Sequence, residues 1–453
     1  MAKLSPFKAL RYNPSKIRDL GLTVAPPYDI ISPDDQNAYY ARHPFNVIRL
    51  DFGKTQAGDD ETHNKYRRAG TQLKLWREQG VLQTDPKPAL YLATQTYTAP
   101  DGKKRSFAGV YALLKLEDYK KGVVRPHEKT LSKPKADRLE LTKATHTNFS
   151  PIFFLYDDAK GVAERWMAAQ MKRKPAAAFT TASGERHQVW VVDQAAAVKA
   201  FTSRLAKAPV YIADGHHRYE TMLRFSKEAP AAVKAAAAHT LACLTPFQQK
   251  GLIILPTHRL IHGLKGFNAH KLLQSLAADF EVRSLSSLDA LKGELARVDG
   301  LSSKPKAGKP KTPKPKGKSK TPQAEPHAFG LLLPGSFHLL TLKPQVDPLK
   351  AVKEKRSAPY KHLDVSLLQA LVLEKILGMS PESIAAQANL FFEKDAAKTA
   401  QCVAKGEAQA GFLVNPTRME QLQAVSDAKD VMPQKSTYFQ PKLITGAVLR
   451  AMA

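Results

Sequence analysis

The chain has 453 residues, of which 43% are hydrophobic, 24% charged and 8% aromatic. These values suit two or three folded domains and exclude a disordered chain. No stretch approaches the roughly 18 apolar residues of a membrane span, and Met1 to Arg18 holds no apolar segment with a small-residue cleavage site, so a cytoplasmic protein is expected. The net charge is +28, and part of it sits in a Lys/Pro-rich tract, residues 301–326, that contains eight lysines.

That tract is expected to be extended and flexible, because proline interrupts helices and sheet ladders and like charges repel. It offers non-specific contact with polyanions, without sequence preference. The two cysteines, Cys243 and Cys402, lie in Ala-rich surroundings outside any Cys-x-x-Cys pair and are expected to be reduced packing residues.

In chain order, Ala25-Pro26-Pro27-Tyr28-Asp29 reads as a rigid loop and Asn46–Leu50 as a strand. A helix is predicted from Asn64 to Gln79, closed by Gly80, with Tyr66, Ala69, Leu73 and Trp76 on one face. Residues 89–97 and 107–115 predict strands paired across Asp101-Gly102. Strands follow at 151–156 and 189–192, then a helix over 195–207, then the strand Val210–Ala213. Tyr219, Met222 and Leu223 are spaced for the next helix, and an Ala-rich helix comes after it. Beyond these lie an apolar run at 251–256, a helix near 268–279 and a hairpin formed by 329–333 and 337–342. Asp364 is placed to cap a long helix ending near Gly378.

The expected fold class is α+β, a mixed sheet with helices and a C-terminal α/β portion. The expected division is 1–240 as the catalytic-like domain, 241–300 with 327–453 as the C-terminal portion, and 301–326 as the insert.

The strongest local signal is Asp214-Gly215-His216-His217-Arg218, a polar turn between an apolar strand and a helix. A helix N-terminus has unpaired N–H groups and a partial positive charge, so an anion placed there is stabilised. Gly215 lets the backbone approach a ligand closely, and Arg218 has the fork that grips phosphate. Asp214 is a candidate Mg²⁺ ligand or proton acceptor, and a histidine is available to stabilise charge on a transferred group. The structural alternative is that Asp214 merely caps the helix. A zinc site is disfavoured because the His-Glu-x-x-His spacing is absent.

A second polar cluster spans Arg125-Pro126-His127-Glu128-Lys129-Thr130, with Lys135, Asp137, Arg138, Asn148 and Ser150 after it. Glu128 beside His127 is a candidate general base, while Arg125 and Arg138 are candidate anion binders. A charged surface loop is the alternative. Pro256-Thr257-His258-Arg259 is a third candidate. The fourth is Met432 to Lys442, where Lys435, Ser436 and Thr437 could meet phosphates or the segment could be a packed C-terminal strap. P-loop, Rossmann and hydrolase-elbow motifs are absent.

Several of these motifs occur together: Pro26-Pro27-Tyr28-Asp29, His43-Pro44-Phe45-Asn46, Arg125-x-His127-Glu128-x-Thr130, Asp137-Arg138, Asn148-x-Ser150-Pro151-Ile152, Ile212 to Thr221, Leu255 to Arg259, and Met432-Pro433-x-Lys435-Ser436-Thr437-Tyr438-Phe439. In this combination the chain resembles the domain of unknown function 1015 family over nearly its whole length, the Lys/Pro tract reading as an insertion.

The Asp-Gly-His-His-Arg turn is in addition similar to the nucleotide-binding turn of the ParB/sulfiredoxin superfamily, which includes free-serine kinases. That resemblance implies a ParB/sulfiredoxin-like nucleotide-binding core. It also implies a catalytic or nucleotide role for Asp214, His216, His217 and Arg218.

The expectation is a Mg²⁺-dependent phosphotransferase that uses ATP or ADP to phosphorylate a small hydroxyl compound, with L-serine first among acceptors. A phosphatase on the same anion site is one alternative. A nucleotide-gated, ParB-type nucleic-acid-binding protein is the other, although no helix-turn-helix is evident.

Overall fold

The computed structural model describes the chain except residues 129, 131, 207, 299 and 301–325. All of the Lys/Pro tract but Pro326, and with it the expected polyanion contact, therefore lies outside the described residues. Two compact units divide the chain: Met1–Ile253 with Phe439–Ala453, and Ile254–Tyr438. The expected boundary at 240 falls within a strand of the first unit, and residues 439–453, expected with the C-terminal portion, group with the first unit instead.

The first unit is built on a nine-stranded mixed sheet. Its strands are β1 (Leu4–Ser5), β2 (Leu90–Thr98), β3 (Lys104–Lys115), β4 (Val124–Arg125), β5 (Ile152–Tyr156), β6 (Ala177–Thr180), β7 (Arg186–Val192), β8 (Val210–Asp214) and β9 (His239–Pro246). They are ordered β4-β8-β5-β9-β3-β2-β7-β6, with β1 on β3. β8 runs parallel to β4, and β9 runs parallel to β5. The remaining pairs are antiparallel, including the predicted β2–β3 hairpin.

The central strands are apolar runs without alternation, as expected where both faces are covered. All five residues of β5 are buried. Four helices supply side chains to one core: α1 (Val162–Met171), α2 (Ala195–Leu205), α3 (His216–Glu228) and α4 (Ala231–Ala237). Met167, Phe201, Tyr219, Met222, Phe225 and Val233 from these helices join Phe154 and Leu244 of the sheet.

The predicted helix at 64–79 forms as Lys65–Glu78. The Asn64 side chain accepts from the N–H groups of Tyr66 and Arg67, and Ala69, Leu73 and Trp76 face inward. The expected strand at 46–50 does not form. Residues Ile48–Asp51 are a helical turn. The buried Asn46 decides this: its Oδ1 accepts from the Ile48 N–H at 3.0 Å, and its Nδ2 donates to the Leu22 and Val24 carbonyls. A side chain that bonds its own backbone two residues on turns the chain, and here it overrides the β propensity of Val47 and Ile48.

The second unit carries a six-stranded sheet that is antiparallel throughout, and its hairpin is Ala328–Leu333 with Ser336–Leu342. Asp364 does not cap a long helix there. It is the first residue of a helical turn, Asp364–Leu367, that continues into a π-helical segment, Leu368–Glu374. Its carboxylate sits 2.7 Å from His327 Nδ1, a partner 37 residues away. Among the described residues, no helix is long and apolar enough to cross a membrane.

Candidate functional site

β8 is the sequence Val-Tyr-Ile-Ala-Asp, with its first four residues buried. Its register on β5 shifts between Ile212 and Asp214, an irregularity that re-aims the side chains at a strand end. Gly215 follows with φ +94°, and α3 begins at His216. A side chain at 215 would be strained by that φ, and its Cβ would lie 3.0 Å from the Arg218 guanidinium. The turn is therefore tightly closed by Arg218 folding back over it.

Asp214 does not cap the helix with its side chain. Its Oδ2 accepts from Arg218 Nη2 at 2.7 Å, and its Oδ1 accepts from Lys442 Nζ at 2.5 Å. Arg218 Nη1 donates to the Pro151 carbonyl. Burial alone would raise the Asp214 pKa, but Lys442 and Arg218 outweigh it and hold the carboxyl far below the usual carboxylate range. Asp214 is thus ionised at every physiological pH.

The structure seats the Arg125–Thr130 loop against this turn. β4 lies parallel to β8 with Arg125 opposite Tyr211. Arg125 Nη1 donates to the Tyr211 hydroxyl at 3.0 Å, and the guanidinium lies over the same ring. Two residues on, the His127 backbone N–H donates to His216 Nε2 at 3.2 Å, and the two rings meet edge to face at 4.6 Å. His127 Nδ1 is 2.6 Å from the Ile212 carbonyl, so that nitrogen carries the hydrogen. His216 Nε2 is an acceptor by the same reasoning, which puts the His216 hydrogen on Nδ1.

Both rings are buried, at 1% and 6% exposure. Burial drives the His127 pKa down to about 4 and that of His216 well below its usual value. The pair is therefore neutral at pH 7, able to exchange hydrogen bonds and unable to supply a positive charge. Glu128, half-buried, is the next residue in the loop, and His217, half-buried, is the next in the helix. The loop is pinned again at Thr130, whose hydroxyl donates to Glu220 at 2.7 Å, and Lys135 reaches the same carboxylate at 2.9 Å.

Arg138 sits one step deeper. Its Nη1 faces the Asp51 carboxylate at 3.0 Å, its Nη2 faces Asp137 at 2.5 Å, and its guanidinium lies 3.9 Å from the Tyr28 ring centre. Asp137 also takes Lys65 at 2.7 Å and the Tyr66 hydroxyl at 2.8 Å. Burial pushes the Tyr28 hydroxyl pKa up to about 12. A cavity of about 40 Å³ lined by Arg138, Arg218, Asp51, Asn148 and Ser150 joins this network to the turn. It is far smaller than the roughly 300–1,000 Å³ of a cofactor pocket, so no nucleotide fits within it.

Lys435, Ser436 and Thr437 belong to the second unit. There Lys435 adopts φ +55°, and the Ser436 hydroxyl donates to the Pro433 carbonyl at 2.5 Å. The Ser436 carbonyl accepts from Thr417 at 2.8 Å. Arg259 donates to the Lys435 carbonyl at 3.4 Å, and burial lowers the Arg259 pKa to about 10. The second unit also holds a separate cavity of about 710 Å³ bordered by Tyr360, Ser366, Gln369 and Lys375, and none of the residues singled out from the sequence lines it.

Lys442 is the site residue that sequence reasoning missed. It ends the Met432–Lys442 run, but the phosphate role had fallen on Lys435 to Thr437 within it. Asp51 carried no signal, because it contributes to no recognisable spacing.

The donor set does not fit a resident Mg²⁺ ion. Asp214 already engages a cation with each oxygen, and the described residues include no group of three or more metal-ligating side chains.

A family model described as "Protein of unknown function (DUF1015)" matches residues 4–366. The chain belongs to the DUF1015 family. No curated protein matches this DUF1015 chain. Among solved structures it is similar to a conserved hypothetical protein from Pyrococcus furiosus, at 12% identity and TM-score 0.35 over 76% of this chain and 95% of that one. It is similar to a free serine kinase variant in complex with ADP, at 10% identity and TM-score 0.36 over 76% and 91%. It is similar also to C-terminally truncated SbnI from Staphylococcus aureus, at 10% identity and TM-score 0.32 over 75% and 86%.

Proposed function

We propose that this protein is a phosphotransferase that moves a phosphoryl group from a nucleotide, ATP or ADP, to a small hydroxyl compound. The observation that carries the reading is the hydrogen bond from the His127 N–H to His216 Nε2. It brings a loop bearing a carboxylate, Glu128, onto a helix N-terminus bearing phosphate-binding groups. Phosphoryl transfer asks mainly for positioning and charge neutralisation, and these are what the arrangement supplies.

On this reading the N–H groups at the start of α3, with Arg218, receive the phosphate chain. Glu128 accepts the hydroxyl proton as the acceptor oxygen bonds to phosphorus. The bond from phosphorus to the nucleotide's bridging oxygen breaks, and that oxygen leaves with the electron pair. His127 and His216, neutral and buried, hold loop and turn together. No step rests on Mg²⁺, which any reaction using it would receive with the nucleotide. Free L-serine is the first acceptor to test, because the turn resembles that of free-serine kinases.

The test incubates purified protein with ATP or ADP, with and without Mg²⁺, and a pool of hydroxyl amino acids and small alcohols. Mass spectrometry follows phosphorylated products. A phosphorylated acceptor is expected, with its rate falling about 10²–10⁴-fold in Glu128→Gln. Release of inorganic phosphate at the same rate without any acceptor would replace this reading with a phosphatase. Absence of both product and nucleotide binding would sink it.

A further inference from the structure

Residues 439–453 return to the first unit and run along the site as a strap. Two side chains of β2 hold its backbone: Tyr97 donates to the Gln440 carbonyl at 3.2 Å, and Gln95 Nε2 donates to the Lys442 carbonyl at 3.3 Å. Phe439 packs on the rings of His127 and Phe153. Thr445 pairs with Ala25 through the backbone and meets Ser150 through its hydroxyl at 2.6 Å. The strap is thus fixed on both sides of Lys442, and its ammonium is delivered to the turn at a defined place.

The charges there do not cancel. Counting histidines as neutral, the described residues of the turn (214–218), of the loop on it (125–130) and of the strap as far as Thr445 carry Arg125, Arg218 and Lys442 against Glu128 and Asp214, three positive charges against two negative. The neighbouring groups balance by themselves: Lys135 with Glu220, and Lys65 and Arg138 with Asp51 and Asp137. The N-terminus of α3 adds further positive potential. Arg218 and Lys442 are only 13% and 15% exposed, so water does little to offset the surplus. A desolvated positive surplus is costly unless an anion comes to it.

We infer that Lys442 is a phosphate-binding residue of this site, supplied by the C-terminal strap, and that Asp214 is the positioning residue that clamps Lys442 beside Arg218. The inference rests on the nucleotide reading of the turn and adds a residue outside the 4–366 stretch that the family model covers. Asp214 holds one cation on each carboxylate oxygen, so the two are presented together to a phosphate group. Asp214 then acts through its neighbours rather than on phosphate, which its own charge would repel.

The test measures binding of ADP and of inorganic pyrophosphate to the full chain by titration calorimetry. Lys442→Met, Lys442→Arg and Asp214→Asn are compared, together with the Asp214→Asn/Lys442→Met double variant. Removing Lys442 is expected to weaken both ligands about tenfold or more, and arginine is expected to restore most of the loss. Asp214→Asn leaves no buried carboxylate to strand, so the double variant keeps the experiment open if Lys442→Met alone does not fold. In that background the loss of Lys442 is still expected to weaken binding, though by less than in the wild type, because the clamp is gone while Tyr97 and Gln95 continue to hold the strap. If it does not, Lys442 serves only to neutralise Asp214, and the proposal is overturned. Equal binding by wild type and Lys442→Met overturns it as well, while leaving the nucleotide reading intact. If wild type binds neither ADP nor pyrophosphate, it is the nucleotide reading that fails.

Discussion

Lowering the pH from 7 to 5 should destabilise the first unit through its buried histidine pair. The unfolded pKa of a histidine is about 6.5, and burial lowers that of His127 to about 4 in the folded protein. Between those values the unfolded chain binds more protons than the folded one, so stability rises with pH across the window. Conversely, it is lost as pH falls below about 6.5, and the loss levels off only near 4. At about 1.36 kcal/mol per unit, His127 costs about 2 kcal/mol of stability between pH 7 and 5. His216, shifted in the same direction by burial, adds to the loss.

Other groups titrate too, so the measurement is a difference. His127→Asn keeps a side-chain N–H near the Ile212 carbonyl and removes the titrating ring. All three tryptophans, Trp76, Trp166 and Trp190, lie in the first unit, so their fluorescence follows its unfolding in urea. Wild type should lose about 2 kcal/mol more than His127→Asn between pH 7 and 5. Equal losses, to within about 0.5 kcal/mol, would mean that His127 is not held neutral, and the tautomer assignments that follow from its bonds would fall with it.

Gly215→Ala should destabilise the same unit by about 1–3 kcal/mol, because φ +94° is strained for alanine and the new Cβ meets the Arg218 guanidinium; an unchanged urea midpoint would contradict the geometry of the turn. Arg138→Ala strands the buried Asp51 and should cost about 3–5 kcal/mol. Arg138→Lys should recover less than half of that, since one ammonium cannot face Asp51 and Asp137 at once; full recovery in the same melts would refute the forked arrangement. The Glu128→Gln enzyme should retain nucleotide affinity within a few-fold while turnover collapses, and a matching loss of affinity would recast Glu128 as a binding residue.

Much of the local structure was written in the order of residues. Apolar spacing marked the helix at 65–78, Asp101-Gly102 marked the hairpin, and an apolar strand breaking into Asp-Gly-His-His-Arg marked the turn. Each signal is carried by residues a few positions apart, where steric preference and burial pattern act directly. At Asn46 this logic failed, because hydrogen bonds to Leu22 and Val24, more than 20 residues back, outweighed the β propensity of its neighbours.

The candidate site depends on longer reaches. Only the sheet order, with β4 parallel to β8, brings His127 to His216 across 89 residues. Only the return of the strap to the first unit brings Lys442 to Asp214 across 228. Periodicity describes which face of an element is buried and holds no information about which other element will cover it. That choice is made by the packing of the whole unit, and it turned two separate polar stretches and an overlooked lysine into one charged cluster.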